Sequence, residues 1–294
     1  LITDDPTEDL HQFETPDEAF QYIRYAGTLP EADVDLAESA LALALLFLPG
    51  LKPDRFRQHL RKMGEQVKED FQARLRLKEP DTLATKVAAL RKVVHEQQGY
   101  QGDTETYDDI QNANLIRVIE RRRGLPVALG ILYLVVAERA GWQMDGLNFP
   151  GHFLVRMEDE GERIILDPFQ LGKEMHAPDL RQLLKSIAGQ NAELSHEFYT
   201  AVGKRDMLVR LQNNLKKRLI DLEEYAQAVI VVEAMEALAP DEYRTLFDKG
   251  VLYAKLGQRR QAITAFEAYI EKTPDAREKQ QAHGLLQQIM MLPE

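Results

Sequence analysis

The sequence predicts an α+β protein that is predominantly helical, with a small antiparallel sheet in its central unit and helical repeats behind it. Three observations carry this. The stretch from Arg121 to Gly172 reads as a buried helix followed by two strands. Amphipathic patterns precede it, with apolar residues at steps of three and four. A self-similarity follows it, LEEYAQAVIVVEAMEALAPDE from Leu222 against LGQRRQAITAFEAYIEKTPDA from Leu256.

The opening, Leu1 to Asp9, is acidic and polar and predicts an extended start. Thr15-Pro16-Asp17-Glu18 then supplies a cap, a proline in the first turn and acids near the positive end of the helix dipole, so a helix runs to about Ala26. Asp33 or Asp35 opens a second helix, DLAESALALALLFL, stopped by Pro49-Gly50. The third, from Asp54 to about Leu77, carries Phe56, Leu60, Met63, Val67, Phe71 and Leu75 on one face. That stripe is core packing. A fourth helix from Thr82 to about Gln97 aligns Leu83, Val87, Leu90 and Val94. Gly99 to Asp109, GYQGDTETYDD, reads as a polar, flexible connector, without the alternating ligand pattern of a calcium loop. A helix from Asp108 or Asp109 passes through Asn114 and Ile119. Its basic end, Arg117 and Arg121 to Arg123, reads as a solvated terminus with cations near the negative end of the dipole.

Gly124 and Pro126 break that helix, and Val127 to Ala140 runs apolar with charge only at Glu138 and Arg139, as a helix buried on most sides does. Gly141 ends it. Pro150-Gly151 then leads into His152 at the start of the strand HFLVRM. After a turn at Glu158 to Glu162, the strand from Arg163 to Leu166 delivers Asp167 before Pro168. An antiparallel pair places His152 and Asp167 at neighbouring strand ends, within reach of each other. A helix N-terminus bearing a nucleophile, then a strand with His and a strand with Asp, is the layout of papain-type and transglutaminase-type thiol sites. There the helix dipole and imidazolium lower the thiol pKa and the carboxylate orients the imidazole. This chain has no Cys, and the corresponding segment reads Leu125-Pro126-Val127-Ala128. None of these can attack a carbonyl.

Three blocks, NANLIRVIERRRGLPVALGILYLVVAERAG, GLNFPGHFLVR and LDPFQLG, resemble the bacterial SirB family, in which a degenerate transglutaminase-like (papain-like) domain precedes tetratricopeptide-like helices. The resemblance implies a general base at His152 and an orienting carboxylate at Asp167. It also implies a hydroxyl, commonly Ser, near the position of Ala128, and a link to regulation of gene expression. The C-terminal self-similarity, offset by about 34 residues, has the tetratricopeptide period. In the second copy Gly250, Tyr253, Gly257, Ala262, Phe266 and Pro274 match the repeat pattern, and Ala228 and Pro240 match it in the first, where Lys216 replaces a glycine. Two copies are fewer than such stacks need to stand alone, so this one is expected to lean on the central unit. Beyond Gly172, Pro178 and Asp179 begin a short helix with Leu180, Leu183, Leu184 and Ile187, and Gly189 to Ser195 is a linker. The expected organisation is an N-terminal helical region over 1–98, a transglutaminase-like core over 99–190 and helical repeats over 204–294.

With 294 residues, 44% of them hydrophobic, the chain can bury a sizeable core. A net charge of -11 argues against a phosphate-dominated nucleic-acid surface. The longest apolar run, Ala37 to Leu48, is too short to span a bilayer, so no membrane contact is expected. Cytoplasmic placement is the expectation, and the start at Leu1 leaves a removed leader open. No cofactor or metal is expected. His152, Asp167 and His176 would supply a mixed nitrogen and oxygen set, but nothing in their spacing makes them converge. The function these residues favour is a pseudoenzyme acting in protein interaction or regulation through its repeats, where Arg244, Lys249, Arg259 and Arg260 would meet an acidic peptide. The alternative is a hydrolase in which the His152-Asp167 pair activates water.

Overall fold

Residues 13–291 are described in a computed structural model of the chain, and the acidic opening stretch expected to be extended lies outside them. Helix α1 (Pro16–Thr28) starts as a capping box, with Thr15 Oγ1 accepting from the Glu18 amide at 3.2 Å and the Glu18 carboxylate accepting from the Thr15 amide at 3.0 Å. Asp35 caps α2 (Leu36–Leu45), a helix buried on nearly every side that ends before Pro49. In α3 (Asp54–Arg76) the apolar stripe from Phe56 to Phe71 faces the core. The next helix, α4 (Leu83–Arg91), is capped by Thr82 and continues into a π-helical turn, Lys92–Gln97. On that turn His95 Nδ1 meets the Tyr100 carbonyl at 2.6 Å and Nε2 meets the Tyr133 hydroxyl.

The segment from Gly99 to Asp109 is not the flexible connector its composition predicts. Tyr100 and Asp103 are both fully buried. Strand β1 (Gln101–Gly102) pairs in parallel with β2 (Arg123–Gly124). Asp103 accepts from the Glu105 and Thr106 amides at 3.1 and 2.8 Å, from the Thr106 hydroxyl at 2.7 Å and from Arg121 at 3.2 Å. The arginine cluster is only partly a solvated terminus: Arg117 and Arg123 are partly exposed, but Arg121 and Arg122 turn inward. Arg121 also reaches Asn112 at 3.0 Å, Arg122 donates to the Tyr100 hydroxyl and meets His59 Nε2 at 2.7 Å, and Arg123 pairs with Glu105 at 2.6 Å. Arg121 and Arg123 sit 18 positions from their acidic partners, so the pairing is invisible to local pattern.

The continuous helix expected through Asn114 is two pieces, a 3-10 turn (Ile110–Ala113) and α5 (Leu115–Arg121). Asn114 separates them by capping the Arg117 amide at 3.1 Å while donating to the Ala44 carbonyl at 3.0 Å. Helix α6 (Pro126–Arg139) is buried from Pro126 to Ala137, as its apolar run predicts. Gly130 lets the sheet approach it, since a Cβ there would lie 2.2 Å from the Phe153 ring. Gly141, at φ +86°, turns the chain into the sheet.

That sheet comprises β3 (Met144–Leu147), β4 (Val155–Asp159), β5 (Glu162–Asp167), β6 (Lys173–Glu174) and β7 (Ala201–Val202). They are ordered β6-β5-β4-β3-β7 with every pair antiparallel. Glu160 and Gly161 make the β4–β5 turn at φ 48° and 86°, matching the twist a two-residue hairpin needs. Helix α7 (Ala177–Ala188) covers one end.

Helices α8 (Lys204–Asp221), α9 (Tyr225–Leu238), α10 (Arg244–Lys255), α11 (Arg259–Lys272) and α12 (Ala276–Met291) form the repeat stack. Ala228 and Ala262 are fully buried where paired helices touch, and a Cβ on Gly250 would lie 2.9 Å from the Phe266 ring. The stack does lean on what precedes it. From α8, Arg205 donates to the Ala26 carbonyl at 2.7 Å, Arg210 to Phe149 at 2.7 Å and Arg218 to Tyr107 at 3.0 Å. One buried cluster accordingly runs from Phe13 through α6 to Leu252, and a smaller one around Phe266 and Leu286 closes the far end. Among the described residues no helix is long and apolar enough to cross a membrane.

Candidate functional site

The site is built where β4 and β5 share an end. Their register sets Val155 opposite Leu166, so the residues just outside it, His152 before β4 and Asp167 closing β5, come to the same edge. His152 itself lies in the turn ahead of the strand rather than at its first position, with Phe153 and Leu154 between. Its Nε2 stands 2.9 Å from Asp167 Oδ2. The pair is thus brought together, with Asp167 wholly buried and the His152 side chain 11% exposed.

Both partners are held by their own surroundings. Pro168 stops the strand, and Asp167 Oδ1 then accepts from the Phe169 and Gln170 amides at 3.0 and 3.4 Å, capping the 3-10 turn Pro168–Gln170. Gln170 Nε2 donates to Oδ2 at 2.8 Å. His152 stands edge-on to the Phe169 ring at 6.0 Å, and Arg210 of α8 reaches its carbonyl at 3.3 Å. Phe169 in turn rests on Gly102, where a Cβ would approach within 2.5 Å. Behind the turn, Gly172 at φ +67° backs onto the Tyr133 hydroxyl of α6, where a Cβ would lie 2.3 Å away.

An imidazole donating from Nε2 to a carboxylate keeps the Nδ1 lone pair available, which is the form a general base needs. The other half of a thiol site is missing. The α6 N-terminus presents Pro126, Val127 and Ala128, with Val127 4% exposed and Ala128 fully buried. The first turn of α6 carries no side chain that its dipole could hold as a thiolate.

A model of the transglutaminase-like superfamily matches residues 54–213, and one of the tetratricopeptide repeat matches 215–287. The chain belongs to the transglutaminase-like superfamily. Within it the chain is SirB-type, with repeats behind the transglutaminase-like domain. It is 27% identical to a "UPF0162 protein" of Xylella fastidiosa over 263 residues, 88% of this chain and 92% of that one. A Vibrio cholerae "UPF0162 protein" is 30% identical over 188 residues, covering 64% and 69% of the two chains. "Protein SirB1" of Salmonella typhimurium is 28% identical over 162 residues, covering 55% and 60%.

The remaining expected residues of this transglutaminase-like chain do not gather at one place. His176 is 69% exposed at the start of α7, 3.8 Å from Glu174, and no three His, Asp or Glu side chains among the described residues are placed to hold a metal. In the repeats, Arg244 lines a cleft of about 500 Å³ with Asn213, Lys216, Asp248, Tyr269 and Gln281. Lys249 instead pairs with Glu236 at 2.8 Å beside a second cleft, Arg259 donates to the Met290 carbonyl, and Arg260 is exposed. The four cations therefore do not line a common groove. Gln170, Phe169 and Arg210 support the pair although the sequence did not single them out. The Asp-Pro-x-Gln order was a usable signal for the first, and nothing local marks Arg210.

Proposed function

We propose that this transglutaminase-like chain is non-catalytic and acts as a protein-interaction or regulatory module, with the concave cleft of its repeats as the contact surface. One observation carries the reading: the helix N-terminus that should hold the nucleophile is Pro126-Val127-Ala128, buried, in a chain without Cys. Tetratricopeptide stacks present extended concave surfaces for partners, and here α8 ties that surface to the His152 loop through Arg210. The cleft beside Arg244 holds Lys216 and Arg244 against Glu242, Asp248 and Glu278, so it suits a peptide of mixed charge better than a purely acidic one.

The decisive assay incubates the purified chain with a panel of amide and ester substrates and with an amine donor plus a glutamine peptide. No turnover above the buffer rate is expected. The 2.9 Å His152–Asp167 bond favours a second reading, water activation by the pair, and turnover that disappears in His152→Ala would establish it instead. For the interaction arm, Arg244→Glu combined with Gln281→Glu changes two exposed side chains of one cleft. The double variant should release partners that the parent chain captures while its circular dichroism stays the same.

A further inference from the structure

Acidic residues outnumber basic ones in this chain, 48 to 37, so a place where bases collect stands against the overall balance. The loop between α2 and α3, with the first turn of α3 and with α5, borders a shallow, open cleft of about 620 Å³ lined by Phe47, Leu48, Leu51, Lys52, Arg55 and Arg117. Its floor is apolar, formed by Phe47, Leu48 and Leu51, all partly buried against the main core. Its rim is cationic and accessible, with the Lys52, Arg55 and Arg117 side chains 77%, 63% and 37% exposed.

Among the described residues two carboxylates pair with these three bases. Arg55 and Arg117 share one carboxylate, Glu120, with Arg117 Nη1 donating to it at 2.7 Å, and Lys52 lies 3.5 Å from Glu14. Each guanidinium carries five N–H donors, and among the described residues Glu120 is the one carboxylate that Arg55 and Arg117 both reach. Arg55 is also held over the Phe56 ring at 4.5 Å, which fixes the fork beside the cleft. Glu120 already shows that a carboxylate fits between the two guanidiniums.

We infer that this cleft binds a short acidic segment of a partner protein, one carboxylate lying on Arg55 and Arg117 and an adjacent apolar side chain resting on Phe47 and Leu48. Guanidinium forks match carboxylates, and the apolar floor has no use in holding a bare inorganic anion. A long polyanion such as nucleic acid is repelled by a chain of net charge -11, whereas a short segment is shielded from distant acids by physiological salt. The site is formed by the α2–α3 loop, α3 and α5, so it does not depend on the repeats being a contact surface. It also places acid recognition away from Arg244, Lys249, Arg259 and Arg260.

The test is fluorescence anisotropy of the full chain with a fluorescein-labelled peptide carrying a central leucine flanked by glutamates. Saturable binding is expected, weakened about tenfold or more by Arg55→Glu and less by Lys52→Glu. Both positions are exposed, so circular dichroism should be unchanged, and Arg55→Gln provides a milder version. Glu120→Gln is the sharper arm: it removes the internal competitor for both arginines and should tighten binding several-fold. No binding by the parent chain, equal affinity for parent and Arg55→Glu, or weaker binding by a folded Glu120→Gln would each overturn the proposal. So would binding of anionic vesicles or duplex DNA in place of the peptide.

Discussion

Two regions that a thiol site would need differ in this chain. At the β4–β5 end the imidazole and carboxylate stand 2.9 Å apart, while the α6 N-terminus presents proline, valine and alanine. The difference teaches what each does for the fold. Asp167 accepts three hydrogen bonds from its own turn besides the one to His152, so the carboxylate stabilises local structure whether or not chemistry occurs. A thiol or hydroxyl at Val127 or Ala128 would do no such work, because both positions are buried among apolar side chains. A retained His-Asp pair is therefore weak testimony for catalysis.

The largest expected effect sharpens this contrast. Asp167→Ala removes the cap of the Pro168–Gln170 turn and strands His152 and Gln170, and should lower stability by about 3 kcal/mol in urea denaturation. His152→Ala should lower it by only about 1 kcal/mol, since the turn keeps its cap. Equal losses would mean that the pair, rather than the carboxylate alone, is the structural unit.

Between these in size is an acid effect that belongs to the buried loop beside the site. Burial, with Arg122 and Lys62 adding to it, lowers the His59 pKa from 6.5 to about 4, and burial lowers that of His95. The unfolded chain takes up these protons first, so stability is intact above about pH 6.5 and falls as pH drops toward 4. The His59 share is on the order of 2 kcal/mol after allowance for its partial exposure. Asp103 acts in a lower window. Burial raises its pKa, but the Thr106 hydroxyl and amide and further hydrogen bonds outweigh this and hold it at about 2, so its contribution is lost between 3.8 and about 2. A urea midpoint that stays level from pH 7 to pH 4.5 would remove His59 as the cause.

The last variant tests the α6 N-terminus directly. Ala128→Cys should cost less than about 1 kcal/mol, and the new thiol should resist an aqueous thiol reagent until the chain is unfolded, because Ala128 is fully buried. Rapid labelling of the folded variant would show that the α6 N-terminus opens to solvent and would revive a reactive site there.

Much of this architecture was legible before the coordinates. Thr15, Thr82 and the alternatives Asp33 or Asp35 marked helix starts because capping chemistry is local, and the structure selects Asp35. The apolar run after Pro126 marked the central helix, and the order helix, His, Asp marked the site, because hairpin geometry brings neighbouring strand ends together. The loop from Gly99 to Asp109 was not legible. Asp103 looks solvated until Arg121 arrives from 18 positions away, and Tyr100 is buried where Arg122 and His59 meet its hydroxyl, while Glu105 and Asp108 stay exposed. Helical periodicity and turn residues thus determined most of the helices, the β4–β5 hairpin and their order, all properties of short stretches, but not strands β1, β2, β3, β6 and β7. Only the tertiary structure decided which charges are buried, that α8 props the His152 loop through Arg210, and that three cations meet at one open cleft near α5. Those outcomes depend on partners distant in the chain, whose approach sets whether a charge is desolvated, paired or left facing water.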